Sequence, residues 1–209
     1  MSTPSPQKLE TNKEYVDQYI AFLEASIDKM NDTISTIIES SKESDSAEVQ
    51  KQEIDFRKII TESLNSLQYM EDMDNIHITI SAQESGLFLS DYSRILSIFN
   101  NMISNSVRYR DRNKNSFLHI DISTRKGIAT VVFTDNGIGI DPAFQSKIFD
   151  KLFRIGNDRG GTGLGLHIVQ KSITKLGGRI AVESVLGEGT HFTIEIPNLL
   201  SSNLSIHCD

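Results

Sequence analysis

From Val16 to Ile37 the apolar residues Val16, Ile20, Leu23, Ile27, Met30, Ile34 and Ile37 recur at alternating steps of four and three, the stripe of a coiled-coil seam. A helix lying on its own globular core shows a wider stripe, so residues 14–41 are expected to form a helix that pairs with another. Residues 1–13 are rich in Ser, Thr, Pro, Gln, Asn and Lys with Leu9 isolated among them. They offer too little apolar surface to repay ordering and read as a flexible leader. The chain turns polar again between Ser40 and Glu53, where only Ala47 and Val49 are apolar, so residues 42–53 are expected to be a solvated linker.

Helical spacing resumes over 54–70 through Ile59, Ile60, Leu64 and Leu67, and Ile76, Ile78 and Ile80 then alternate as a strand does. A short strand is expected at 87–89. Asp91 is placed to cap a helix with an apolar face of Ile95, Leu96, Phe99, Met102, Ile103 and Val107, running to about Tyr109. Residues 117–122 and 128–133 alternate on either side of Thr124-Arg125-Lys126-Gly127, which predicts a hairpin. Helical spacing returns at Ile148, Phe149, Leu152 and Phe153 and again over 164–176, and a second hairpin joins 179–184 to 191–196. Strands that pair locally beside long helices predict an α/β fold, a two-layer sandwich in which a mixed sheet is covered by helices on one face. This domain is expected over 54–197, followed by a tail at 198–209.

Charge and cysteine content narrow the function. With 21 Lys and Arg against 28 Asp and Glu, a net charge of -7, the chain is not built mainly to neutralise nucleic-acid phosphates. The single Cys208 permits neither an intrachain disulfide nor a cysteine metal cage and suits a reducing compartment. No run approaches the roughly 18 apolar residues of a membrane span, and the N-terminus lacks the basic and apolar regions of a signal peptide. A cytoplasmic location is expected, with any membrane anchor belonging to a longer parent.

Three clusters carry chemistry. Asp135-Asn136-Gly137-Ile138-Gly139-Ile140 directly follows a strand; its glycines allow a tight turn and the close approach of a flat ligand, with Asp135 as acceptor for an exocyclic amine. Alone, such a motif is more often a plain turn. Gly160-Gly161-Thr162-Gly163-Leu164-Gly165-Leu166 sets four glycines before an apolar helix, and free N–H groups at a helix start suit a phosphate. It is neither a Walker A loop nor a dinucleotide fingerprint, and a hinge loop is its alternative reading. Asn101 and Asn105 stand one turn apart on a predicted helix, where Asn is a poor former. A neutral amide oxygen suits Mg²⁺ already compensated by phosphates, with Arg108 nearby as a counter-charge; a solvated polar pair is the bland alternative.

Together these segments resemble the ATP-binding catalytic domain of sensor histidine kinases, a branch of the group that includes DNA gyrase, Hsp90 and MutL. The match covers about residues 54–197. Its motifs follow in order: the N box Asn101-Met-Ile-Ser-Asn105-Ser-Val-Arg108-Tyr109, the G1 box at Asp135, Gly137 and Gly139, and the F box Ile148-Phe149-Asp-Lys-Leu152-Phe153-Arg154. The G2 box Gly161-Thr162-Gly163-Leu164-Gly165 and a terminal Gly187-Glu-Gly189-Thr190 complete the set. The resemblance implies ATP and Mg²⁺ as cofactors in a Bergerat-type fold. Asp135 would bind the adenine amine, Asn105 would ligate Mg²⁺, and Asn101 and Arg108 would support the phosphate side. Tyr109 would lie by the adenine or ribose and Thr190 near the base. Arg154 would reach the γ-phosphate, residues from about 141 to 160 would form a lid, and Gly161, Thr162, Gly163, Leu164 and Gly165 would hold the triphosphate. Leu152 departs from the Phe common in the family.

The ATPase branches usually carry Glu where this chain has Asn101, and an amide cannot take a proton from water at neutral pH. Phosphoryl transfer to an imidazole needs no such base, which favours the kinase reading. The 14–41 helix resembles the second helix of the kinases' dimerisation and phosphotransfer hairpin, implying a homodimer. The helix bearing the phosphoacceptor is missing: His77, His119, His167, His191 and His207 are followed by Ile, Ile, Ile, Phe and Cys, never by Glu or Asp. The expected activity is therefore transfer of the γ-phosphate to a histidine supplied elsewhere, for relay to the receiver domain of a response regulator. The alternatives are a nucleotide-sensing scaffold without catalysis and, lower, a gyrase or Hsp90-type ATPase.

Overall fold

A computed structural model describes residues 48–155 and 162–200, together with Tyr15, Val16, Tyr19 and Ile20. The chain divides into two compact units, residues 1–46 with 160–162, and residues 47–159 with 163–209. In the first, the four described N-terminal residues are helical and exposed. The remainder of the heptad stripe, and with it the expected pairing helix, lies outside the described residues, as does the leader.

The second unit holds β1 (Lys51–Glu53), α1 (Phe56–Leu67), β2 (Ile76–Gln83), β3 (Leu89–Asp91), α2 (Tyr92–Arg108), β4 (Ser116–Arg125), β5 (Ile128–Asp135), α3 (Gly165–Lys175), β6 (Arg179–Val185) and β7 (Gly189–Pro197). Five strands form one sheet in the order β2-β4-β5-β7-β6. β2 runs parallel to β4 and every other pair is antiparallel. This is the expected mixed sheet. Lys126 and Gly127 turn the β4–β5 hairpin with φ of 52° and 75°, the left-handed pair that matches strand twist in a two-residue turn.

Alternation along the strands sends one set of side chains to the helices. Leu118, Ile120 and Ile122 of β4, Ala129, Val131 and Phe133 of β5, and Phe192, Ile194 and Ile196 of β7 are buried with the apolar stripes of the three helices in one core. Phe99 of α2 stands at its centre, with its ring 6.2 Å from Phe56 of α1 and 5.4 Å from Phe133. α2 packs against both α1 and α3, which fixes the helix carrying Asn101 and Asn105.

Four expectations change. The last residues of the expected linker form β1, paired antiparallel with β3; all three side chains are exposed, and no apolar alternation marks the strand. The short strand falls at Leu89–Asp91 rather than 87–89. The domain continues past 197, because Asn198 accepts from the Leu89 N–H and donates to the Leu87 carbonyl, and the Leu199 N–H donates to Leu89. Residues 148–153 are not helical. There the N–H groups of Phe144, Lys147, Asp150 and Phe153 each donate to the carbonyl three residues back, giving successive turns instead of the i→i−4 ladder of a helix. These turns still bury Ile148 and pack Phe149 and Phe153 against the core.

Candidate functional site

The site begins where β5 ends. Asp135 is paired across the sheet with Leu118 of β4 and Thr190 of β7. One carboxylate oxygen accepts from the Gly137 N–H at 2.9 Å, the other from the Ser106 hydroxyl at 3.3 Å, and the Thr190 N–H donates as well. Burial pushes the Asp135 carboxyl above its ordinary value, with these three donors pulling in the opposite direction. Gly137 and Gly139 are required by close packing. A Cβ on Gly137 would stand 2.5 Å from the Tyr109 carbonyl oxygen, and one on Gly139, whose φ is 66°, would run into the Val185 backbone. The Ile138 N–H donates to the Tyr109 carbonyl at 3.0 Å and the Ile138 carbonyl accepts from Gly187. The loop after β5 is thus pinned between the end of α2 and the β6–β7 turn.

Asn101 and Asn105 meet the glycine-rich segment at the start of α3. The Asn101 amide donates to the Ser97 carbonyl at 2.8 Å. A Cβ on Gly165 would lie 2.9 Å from its Oδ1 and 3.7 Å from Asn105 Oδ1. Asn105 Nδ2 is buried without a hydrogen-bond partner, a costly state for a polar atom unless something else meets it. The α3 helix starts after Leu164 with no side-chain cap, leaving its first N–H groups without a side-chain acceptor. An uncapped helix start beside two amides, one with an orphaned donor, is a set that an anionic, metal-bearing ligand fits.

Beside these elements opens a cleft lined by Asn105, Tyr109, Ile138, Gly139, Ile140, Ile148, Phe153, Arg154, Ile155, Leu166, Thr190 and Phe192. Its apolar wall suits a flat ring. The F-box turns close one side through two adjacent left-handed residues: the Leu152 N–H (φ 65°) donates to the carbonyl of Gly163 (φ 72°) at 3.0 Å. A Cβ on Gly163 would crowd Leu152, Phe153 and Arg154, so that glycine lets the two segments touch. His167 has a packing role, donating from Nδ1 to the Phe149 carbonyl at 3.0 Å.

Of the residues singled out in the sequence, Asn105, Tyr109, Gly139, Arg154 and Thr190 line the cleft. Asp135, Gly137, Asn101, Gly163 and Gly165 adjoin these residues through the contacts above. Leu164 is buried in the core beneath them. Arg108 sits half-buried in the last turn of α2 and does not line the cleft. Gly161 lies outside the described residues, and Thr162 belongs to the other compact unit. Two participants were missed. Ser106 is buried against Asp135; a polar residue on the apolar stripe of α2, one turn after Met102, was the available signal. Ser184 accepts from the Ile140 N–H, donates to the Gly189 carbonyl and lies 3.0 Å from the Thr190 hydroxyl, a partnership across a hairpin that no local pattern announces.

Fold and site together define a two-layer nucleotide-binding domain. Residues 90–200 match the family described as histidine kinase-, DNA gyrase B- and HSP90-like ATPase, and the chain belongs to that family. Within it the chain carries an ATP-binding domain of the histidine kinase type. The sensor protein kinase WalK of Staphylococcus aureus is 28% identical over 191 residues, 89% of this chain and 31% of WalK; the chain thus spans about a third of that relative's length. In fold it is similar to the mycobacterial sensor histidine kinase MprB (TM-score 0.60, 22% identity, 72% of this chain and 98% of that one). Full-length ShkA in complex with AMPPNP superposes with a TM-score of 0.64 at 19% identity over 95% of this chain and 40% of ShkA. The histidine kinase AdeS of Acinetobacter baumannii gives 0.61 at 19% identity over 95% and 87%. Among the described residues, no helix is long and apolar enough to cross a membrane.

Proposed function

We propose that the chain is the ATP- and Mg²⁺-binding catalytic module of a two-component sensor histidine kinase, directing the ATP γ-phosphate to a histidine on a separate hairpin for relay to a response regulator. The observation that carries this reading is the seat of Gly165 against the Asn101 and Asn105 amides, which brings the N box to the uncapped start of α3. ATP supplies the transferable phosphoryl group and Mg²⁺ neutralises its charge. Asn105 holds the metal through its amide oxygen; among the described residues no cluster of three His, Cys, Asp or Glu competes for that task. Asp135 accepts the base amine, Tyr109 and Thr190 flank the base, and the first N–H groups of α3 with Gly161, Thr162, Gly163, Leu164 and Gly165 hold the phosphates. Arg154 and Arg108 add positive charge on the phosphate side. Asn101 places no general base beside a water, which favours transfer over hydrolysis. The 14–41 helix completes a dimerisation hairpin with a partner helix, and the module works in the cytoplasm.

The test incubates the purified chain with Mg²⁺, γ-labelled ATP and a separately supplied phosphoacceptor hairpin. Acid-labile label is expected on the hairpin, with little on the chain and little free phosphate, and none with Gly165→Ala, whose Cβ displaces Asn101. Tight Mg-ATP binding with no label on any supplied hairpin would replace this reading with a nucleotide-sensing scaffold. Phosphate release that collapses on substitution of Asn101 or Asn105 would replace it with an ATPase.

A further inference from the structure

A carboxylate has about four acceptor positions. At Asp135 three are met by the protein: Gly137 N–H on Oδ1, the Ser106 hydroxyl on Oδ2, and the Thr190 N–H. Two of these donors are backbone groups fixed by the loop and by β7. The third is the one donor that a change of side chain can remove. Ser106 is 5% exposed and lies on the face of α2 that otherwise holds Met102, Ile103 and Val107. Its hydroxyl carries a single proton and stands 3.3 Å from both Asp135 Oδ2 and the Met102 carbonyl. The charged acceptor is the stronger partner, since hydrogen bonds to ionised groups are about twice as strong as neutral ones.

We infer that Ser106 is a positioning and specificity-determining residue of the base subsite: its hydroxyl occupies one position of the Asp135 carboxylate and fixes its rotation, leaving one acceptor position for a single amine N–H. The inference rests on the reading of Asp135 as the acceptor for the base. With three donors in place, the carboxylate selects a ring that brings one N–H and rejects a ring that brings none, because the last position would then be buried and unmet. Without the Ser106 hydroxyl, two positions are open, the carboxylate is held by backbone alone, and water can take the place of the amine. Selectivity for the amine weakens more than binding of the rest of the nucleotide, because Ser106 touches only the acceptor.

The experiment compares Mg-ATP with the purine ribonucleoside triphosphate that lacks the 6-amino group, by calorimetric titration of the whole chain and its Ser106→Ala, Ser106→Thr and Asp135→Asn variants. Ser106→Ala removes one oxygen from a helix position and favours the helix, so it folds. It is expected to bind ATP about tenfold more weakly, the loss of one charge-assisted hydrogen bond, and to bind the deamino analogue as the parent does. The preference for ATP over the analogue thus shrinks by the same factor. Ser106→Thr, which keeps the hydroxyl, restores the preference. An unchanged preference in Ser106→Ala, or an equal loss for both nucleotides, overturns the inference and leaves the hydroxyl as a helix bond to Met102. If Asp135→Asn also leaves the preference intact, the failure lies with the reading of Asp135 itself.

Discussion

Asp135 combines a half-buried position with the acceptor role proposed for it. Burial raises its pKa in the folded state above the ordinary value of 3.8 despite three hydrogen-bond donors. Between the unfolded and folded values the native state keeps a proton that the unfolded state has released, so stability falls as pH rises through that window and stays lower above it. Asp135→Asn removes this component. Melting curves of the nucleotide-free proteins are expected to show the parent losing stability relative to Asp135→Asn as pH climbs from about 4, while the variant no longer binds ATP. Parallel curves would show that the carboxyl is not strained by burial. At this scale the sequence was informative about identity and silent about partners. Asp135, Asn105 and Gly139 stand out from their motifs, whereas Ser106 and Ser184 act through contacts 29 and 44 residues away, which spacing along one element does not reveal.

Among the elements, α2 carries both asparagines, and its start is tied to the incoming chain by one side chain. Asp91 Oδ1 accepts from the Arg94 N–H at 3.1 Å and the Ser93 hydroxyl at 2.8 Å, and Oδ2 accepts from the Gln50 N–H at 3.2 Å. Burial works to raise its pKa, but the Ser93, Arg94 and Gln50 hydrogen bonds and the Arg94 charge outweigh it and hold the carboxyl below its ordinary value. Its contribution is therefore present above the ordinary carboxylate value and is lost as pH falls through the lowered one. Asp91→Ala should cost about 1–2 kcal/mol for the cap, read as a lower urea midpoint at pH 7 with an unchanged slope, and that cost should shrink in acid. A pH-independent cost would assign the loss to packing instead. The cap was legible, because Asp stands just before an apolar stripe. The F-box segment was not: Ile148, Phe149, Leu152 and Phe153 satisfy helical spacing, yet left-handed Leu152 and its bond to Gly163 end any helix there. A tertiary contact overrides the local period.

For the whole molecule, the hairpins were legible because their partners adjoin in sequence. The parallel β2–β4 pair and the insertion of β7 between β5 and β6 join segments that only the collapsed core brings together. Phe99 sits where those layers meet, fully buried between α1 and β5, two residues before Asn101. Phe99→Ala should cost about 3–5 kcal/mol, a large share of the 5–15 kcal/mol typical of a domain, and should lower the melting temperature while unfolding stays cooperative. A nucleotide that binds only the folded state adds back about 2.7 kcal/mol at a hundredfold excess over its dissociation constant. Mg-ATP is therefore expected to restore more than half of the loss in Phe99→Ala and none of it when Asp135→Asn is added. A melting temperature that ignores Mg-ATP in the single variant would mean that α2 no longer holds its asparagines in place, making the aromatic core a condition of binding and not only of folding.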